Sequence, residues 1–176
     1  MIFMDIIRIP EERVGELMGK GAEHKKKIEA HYGIELKVDK EGEVTLIGEG
    51  ADTFFAKDVV KAIGRGFSFE EAEKLFKDDY LFCVIDLRDQ FESDNAQKRM
   101  KGRVIGEKGK IKKEIENATE SIICIHGHTI SIIAPDDLME FAKEAIYKIL
   151  EGAPHTTALN YLHTVRERKL ALRLKG

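Results

Sequence analysis

The chain has 176 residues, of which 43% are hydrophobic and 35% charged, and its formal net charge is −3. That length accommodates one medium domain or two small ones, and that apolar fraction supplies a packed core. No apolar run reaches the roughly 18 to 20 residues of a membrane helix. Two cysteines, Cys83 and Cys124, are too few for a disulfide scaffold. An intracellular, cytoplasmic location without a secretory leader is expected, and the overall charge excludes a uniformly basic nucleic-acid coat.

Residues 6–9 read as a β-run ended by Pro10. Residues 11–18 form a short helix with two acids near its start, broken at Gly19 and Gly21. Residues 22–31 form the next helix, and Gly33 sits just past its end. Residues 34–38 alternate as a half-buried strand, and residues 44–47 are its hairpin partner. Residues 52–63 close the series as a helix with Phe55, Val59 and Ile63 on one face. Gly64-Arg65-Gly66-Phe67 then reads as a turn. Ser68-Phe69-Glu70-Glu71 is a capping box that starts a short helix through Phe76. This linker, residues 67–80, is expected to be ordered because Phe67, Phe69, Leu75 and Phe76 require burial.

The second half follows the same order. Residues 81–87 are a strand, and a loop through Ser93-Asp94-Asn95 leads to a helix over 97–105. Residues 109–118 are a second helix, and residues 121–125 and 129–133 form a hairpin around Gly127. Residues 136–150 form a helix with Asp136 or Asp137 as N-cap and Gly152 at its end. From Pro154 a last helix sets Leu159, Leu162, Val165 and Leu170 on one face and Arg166, Arg168 and Lys169 on the other.

The two halves are copies. Gly19-Lys20-Gly21-Ala22 aligns with Gly106-Glu107-Lys108-Gly109, 87 residues on, and the Lys-rich stretches that follow align as well. Phe55-Ala56-Lys57-Asp58 matches Phe141-Ala142-Lys143-Glu144, 86 residues on, so one residue is lost between them, at the hairpin turn. Both halves run β-α-α-β-β-α. The expected architecture is α+β, with domains at 1–66 and 81–152, the linker at 67–80 and a C-terminal basic helix at 153–176.

Positive charge is concentrated rather than spread. Residues 98–113 hold eight basic side chains against one acidic one. Within them lies the turn Gly106-Glu107-Lys108-Gly109 between two helices. Glycines at both ends let a nucleic-acid backbone approach, and the second helix points free N–H groups and its positive dipole end at the phosphates. Lys108 and Lys110 add charge there. Elsewhere, Cys124, His126 and His128 lie close together without a fourth ligand, so they read as polar turn residues and not as a metal site. There is no nucleophilic triad, dinucleotide loop or phosphate-binding P-loop. No catalytic residue, cofactor, metal or small-molecule substrate is expected.

In this setting the Val104 to Gly109 stretch, followed by Ile115-Glu116, resembles the signature of type I KH domains. These are RNA-binding modules whose GxxG loop clamps about four nucleotides. The resemblance covers residues 5–66 and 81–152. It departs from the pattern at Lys112, where an apolar residue is usual. The tandem arrangement is similar to the Dim-two or partner-of-Nob-one family of ribosome-assembly factors, much of whose pattern Krr-one proteins share. The resemblance implies a noncatalytic factor that binds single-stranded RNA near the 3′ end of small-subunit rRNA. It implies cooperation with the Nob-one endonuclease and a dimethyladenosine methyltransferase. The implied RNA contacts are Arg103, Val104, Ile105, Gly106, Glu107, Lys108, Gly109, Lys110, Ile111, Lys112 and Lys113, with either Ile123 or Cys124 on the groove. In the first copy Ala22 replaces the second glycine, so weaker contact is expected from Gly19, Lys20, Gly21, Lys25 and Lys26, or docking to a protein instead. The alternative for the whole chain is a protein-interaction scaffold with only nonspecific RNA affinity.

Overall fold

A computed structural model describes all 176 residues. The chain divides into two compact units, Met1–Asp78 and Asp79–Gly176. No helix is long and apolar enough to cross a membrane.

The first unit runs β1 (Ile2–Arg8), α1 (Val14–Met18), α2 (Glu23–Tyr32), β2 (Glu35–Val38), β3 (Glu43–Glu49), α3 (Gly50–Gly64) and α4 (Phe69–Ala72). Its antiparallel sheet has the order β1-β3-β2. Alternation does its work on β3, where Val44, Leu46 and Gly48 are buried and the residues between them are not. Leu17, Ile28, Leu36, Val59 and Ile63 complete the core. Helix α3 starts at Gly50, two residues before the expected start, and its buried stripe is Ala56, Val59, Val60 and Ile63. Phe55 lies one step off that stripe and is exposed, contrary to expectation, as is its edge-to-face neighbour Phe54.

The segment expected as a linker packs into this unit. The capping box forms in full: Ser68 Oγ accepts from Glu71 N–H, and Glu71 Oε1 accepts from Ser68 N–H. Phe67 and Phe69 are buried. The Phe69 ring stacks on His24 at 4.3 Å, and Phe76 stacks on His31 at 4.2 Å. Tyr32 donates its hydroxyl to the Leu75 carbonyl; burial, together with the Asp58 and Asp78 carboxylates, pushes its pKa up to about 12.

The second unit runs β4 (Tyr80–Asp86), α5 (Asp94–Ile105), α6 (Lys110–Thr119), β5 (Ile122–His126), β6 (Thr129–Pro135), α7 (Met139–Leu150) and α8 (His155–Lys175), with sheet order β4-β6-β5. Helix α5 starts three residues earlier than expected because Ser93 Oγ caps the Ala96 N–H at 3.1 Å. Neither Asp136 nor Asp137 caps α7. The Asp136 N–H donates to the Asp79 carbonyl and the helix begins only at Met139. Helix α8 packs on α6 and α7 through Ala158, Leu162 and Val165. Leu170, expected on that face, overhangs and is exposed. Most of the basic side of α8 is paired, Arg168 excepted. Arg166 pairs with Glu114 at 3.0 Å, and Lys169 and Arg173 both pair with Glu120.

One device recurs in both units and explains the unusual Lys112. Glu116 Oε2 accepts the N–H of Ile123 on the edge strand β5 at 2.9 Å, while Lys112 Nζ lies 3.3 Å from Glu116 Oε1. In the first unit Glu29 Oε2 accepts the Leu36 N–H at 2.9 Å, and Lys25 Nζ lies 3.2 Å from Glu29 Oε1. A carboxylate on the second helix thus satisfies an amide of the edge strand, and a lysine one turn earlier steadies it. Glu116→Ala leaves that amide without its partner and is expected to lower the unfolding free energy by about 1–3 kcal/mol in urea titrations, and Glu29→Ala to do the same. Unchanged midpoints would show that water replaces the carboxylate at no cost.

Candidate nucleic-acid interface

Only four residues separate α5 from α6, and the chain reverses within them. Gly106 (φ 74°), Lys108 (φ 53°) and Gly109 (φ 75°) all take positive φ. The two glycines do different jobs. A Cβ on Gly106 would fall inside the Ile111 side chain, 2.8 Å from its Cβ, so the first glycine is demanded by packing. A Cβ on Gly109 would meet nothing within 4 Å, so the second is open to whatever approaches from outside. Gly109 leads directly into α6, whose first turn carries no acid. The Gly109 and Lys110 N–H groups are taken by the Gly106 and Glu107 carbonyls, so the positive end of α6 faces an incoming anion with its next N–H groups, together with Lys108, Lys110 and Lys113. These lysines are exposed, and none lies in an ion pair.

The structure divides the expected contact residues. Glu107, Lys108, Lys110 and Lys113 are exposed, and Ile105, Gly106 and Gly109 are half-buried around the loop. Val104 and Ile111 are core residues at 0% and 5% exposure and offer no groove surface. Lys112 is held by Glu116. Arg103 is turned inward: Nη1 donates to the Ile149 carbonyl at 2.9 Å and Nη2 to the Ala153 carbonyl at 2.7 Å. On β5, Ile123 faces the core, leaving Cys124 on the opposite face and Ile125 and His126 partly accessible.

Sequence reasoning missed the bridge that ties the hairpin turn to α5. Lys101 Nζ donates to the Gly127 carbonyl at 2.8 Å. His128 Nδ1 lies 3.3 Å from Asp86 Oδ1. A hydrogen bond and ion pair to the Arg88 guanidinium hold the Asp86 carboxyl far below the usual carboxylate range. His126, His128 and Cys124 do not come together with a further ligand, and no group of three or more His, Cys, Asp or Glu side chains is placed to hold a metal ion.

The first unit repeats the loop with its glycine displaced. Gly19 (φ 70°), Gly21 (φ 61°) and Ala22 (φ 60°) occupy the same three positive-φ positions. Glycine thus stands where the second unit has Lys108, and alanine where it has Gly109. An alanine there costs roughly 1 kcal/mol, and its methyl lies where the second unit presents bare backbone. A Cβ on Gly19 would lie 2.6 Å from the His24 ring. Lys27 pairs with Glu23 at 3.2 Å and Lys25 with Glu29, which leaves Lys20 and Lys26 as the local free charge.

Comparison with known proteins adds the following. Residues 81–167 match a family model described as a eukaryotic type KH-domain (KH-domain type I), built for the second KH domain of PNO1, and residues 4–62 match the KH domain model. A KH domain-containing protein of Methanocaldococcus jannaschii is 39% identical over 170 residues, covering 94% of this chain and 75% of the relative. The pre-rRNA-processing protein PNO1 of Chaetomium thermophilum is 32% identical over 114 residues, 63% of this chain and 44% of the relative; the chain thus spans less than half the length of that protein. In the crystal structure of an a/eIF2alpha–aDim2p–rRNA complex from Pyrococcus horikoshii OT3, the matching chain superposes with a TM-score of 0.87 at 32% identity, covering 96% of each chain.

The loop geometry sets an order among substitutions. Gly106→Ala combines a clash with Ile111 and an unfavourable φ and is expected to cost about 3 kcal/mol. Gly109→Ala meets only the φ penalty, about 1 kcal/mol, and Ala22→Gly is expected to return up to about that much. Denaturant unfolding of the three variants checks this order. Equal losses at Gly106 and Gly109 would contradict it.

Proposed function

The chain belongs to the Dim2/PNO1-type family of tandem KH proteins, RNA-binding ribosome-assembly factors, and we propose that it clamps single-stranded small-subunit rRNA near its 3′ end with the loop of its second unit. The observation that carries this reading is the pairing of an uncovered Gly109 backbone with the acid-free start of α6. A phosphate approaching that point meets amide N–H groups, the positive end of α6, and Lys108 and Lys110. Bases then lie toward Ile105 and the β5 edge. The clamp holds RNA by its backbone and moves no bond, so the role is noncatalytic. It supplies an ordered RNA end to enzymes such as the Nob-one endonuclease in the cytoplasm.

The two units contribute unequally in this reading. Gly106, Glu107, Lys108, Gly109, Lys110 and Lys113 form the clamp. Gly19, Lys20, Gly21 and Lys26 of the first unit add only general attraction, because Ala22 covers the backbone that the second unit leaves bare. With about three or four phosphates neutralised, the logarithm of affinity should fall against the logarithm of salt with a slope of about −2 to −3.

Changing Glu107 and Lys108 together to Asp replaces a cation with an anion at the phosphate and leaves an exposed loop that tolerates either residue. Aspartate also accepts the left-handed conformation of position 108. Binding to a short single strand from the 3′ end of small-subunit rRNA, measured by fluorescence anisotropy, is expected to weaken at least about tenfold with the melting temperature unchanged. The same change at Lys20 and Gly21 should do much less. Unaltered affinity in the Glu107/Lys108 variant would overturn the assignment of the clamp.

A further inference from the structure

We propose that His155, at the start of α8, is a positioning residue of the RNA clamp, holding the last turn of α5 from which the Gly106–Gly109 loop departs; this rests on the reading of that loop given above. The carbonyls of the last turn of any helix lack intrahelical partners. In α5 the Gly102 carbonyl is satisfied by the Gly106 N–H, which already belongs to the loop. The Arg103 carbonyl, next in line, lies 2.9 Å from His155 Nε2, which donates to it. The Arg103 side chain reaches back over the same gap to the Ile149 and Ala153 carbonyls, at the corner between α7 and α8. Three hydrogen bonds thus fasten the turn before the loop to the α7–α8 corner, and one of them comes from a side chain of α8.

The first unit supplies an internal comparison. The residue equivalent to Arg103 is Glu16, and its carbonyl also bonds an imidazole: His24 Nδ1, at 2.6 Å. That histidine belongs to α2, the helix that follows the loop itself. The equivalents of the Ile149 and Ala153 carbonyls are those of Ile63 and Phe67. They too are held by an arginine, Arg13, at 2.8 and 2.6 Å. Both units therefore satisfy the same two corner carbonyls with an arginine and the same end-of-helix carbonyl with an imidazole, although Arg13 stands one turn earlier than Arg103. In the first the imidazole comes from within the KH core; in the second, Ile111 fills that inner position and the imidazole comes from α8. The match to the PNO1-type KH model likewise runs through residue 167, well into α8.

Helix α8 keeps its place without His155. Ala158, Leu162 and Val165 are buried, Arg166 pairs with Glu114 of α6, and Arg173 pairs with Glu120 just past its end. Loss of the imidazole alone should release the turn while leaving the helix docked.

The test uses the full chain and compares the original protein with His155→Leu and His155→Gln, the amide of Gln offering an N–H near the same point. The readouts are anisotropy with a single-stranded RNA at two salt concentrations and the amide NMR shifts of Gly106 and Gly109 in the free protein. His155→Leu is expected to weaken RNA binding by about three- to tenfold, the loss of one hydrogen bond. Its salt slope should be unchanged because the phosphate contacts are the same. The two glycine amides should shift, and His155→Gln should restore both affinity and shifts. RNA binding by His155→Leu equal to that of the original protein, or a Gln variant as weak as the Leu variant, would overturn the proposal. If the original protein binds no single-stranded RNA, the clamp reading fails instead. The glycine shifts then still decide whether His155 positions the loop.

Discussion

Everything in the second unit answers to one constraint: α5 must give way to α6 across four residues, three of them at positive φ. Such a reversal is costly for ordinary residues. It persists because both flanking helices are held independently. Val104 and Ile111, on either side of the loop, lie in one core with Ile115, Ile123 and Ile146. Arg103 and His155 fasten the end of α5, and Glu116 fastens α6 to the sheet. The loop itself contributes little packing beyond the Gly106–Ile111 contact. Its outer part, exposed Glu107 and Lys108 with the half-buried Gly109, is free to meet a ligand because the strain is borne by residues behind it.

The internal repeat shows which parts of this arrangement are fixed by geometry. The carboxylate–amide link from the second helix to the edge strand occurs twice with the same spacing, and so does the supporting lysine. The arginine clamp onto the corner after the closing helix also occurs twice, but Arg13 and Arg103 are not equivalent positions; they lie one helical turn apart in the aligned units. The carbonyls to be satisfied are conserved between the units, while their donors are not. The pseudo-repeat even continues past the KH core. Gly66 and Gly152 both take positive φ, and Ser68 and Pro154 both precede a helix that packs against the unit before it.

Local signals in the sequence were legible and long-range partners were not. The order of strands and helices, the glycine loops, the capping box at Ser68 and the turn at Gly127 each depend on a few adjacent residues, and each appears in the structure. Phe55 falls outside the buried stripe because a strict four-residue spacing drifts by about 40° per step around an α-helix, and the buried face is centred on Ala56, Val59, Val60 and Ile63. Ser93 reads as loop from its neighbours although it caps α5. Lys112 looked like a defect because its meaning lies in Glu116 and, through it, in Ile123. Arg103 looked like an RNA ligand because a basic residue beside such a loop commonly is one. Its actual acceptors lie 46 and 50 residues away in the chain. The basic face of α8 misleads in the same way, since Glu114 and Glu120, the partners of Arg166 and Arg173, lie 52 and 53 residues away in the chain.

The sorting of charge on α6 reconciles a net charge of −3 with an anion-binding loop. The acids of α6, and Glu120 just past its end, do not face the loop. Glu114 pairs with Arg166, Glu116 with Lys112 and the Ile123 amide, and Glu120 with Lys169 and Arg173. Arg173 and Lys169 hold the Glu120 carboxyl charged against the cost of its partial burial. Lys108, Lys110 and Lys113 remain without such partners at the solvent-facing start of the same helix. Across α6 and the residues that flank it, negative charge is thus compensated from behind while positive charge is left in front. At the roughly 8–10 Å screening length of physiological salt, a phosphate at Gly109 responds to that local arrangement far more than to the total charge of the chain.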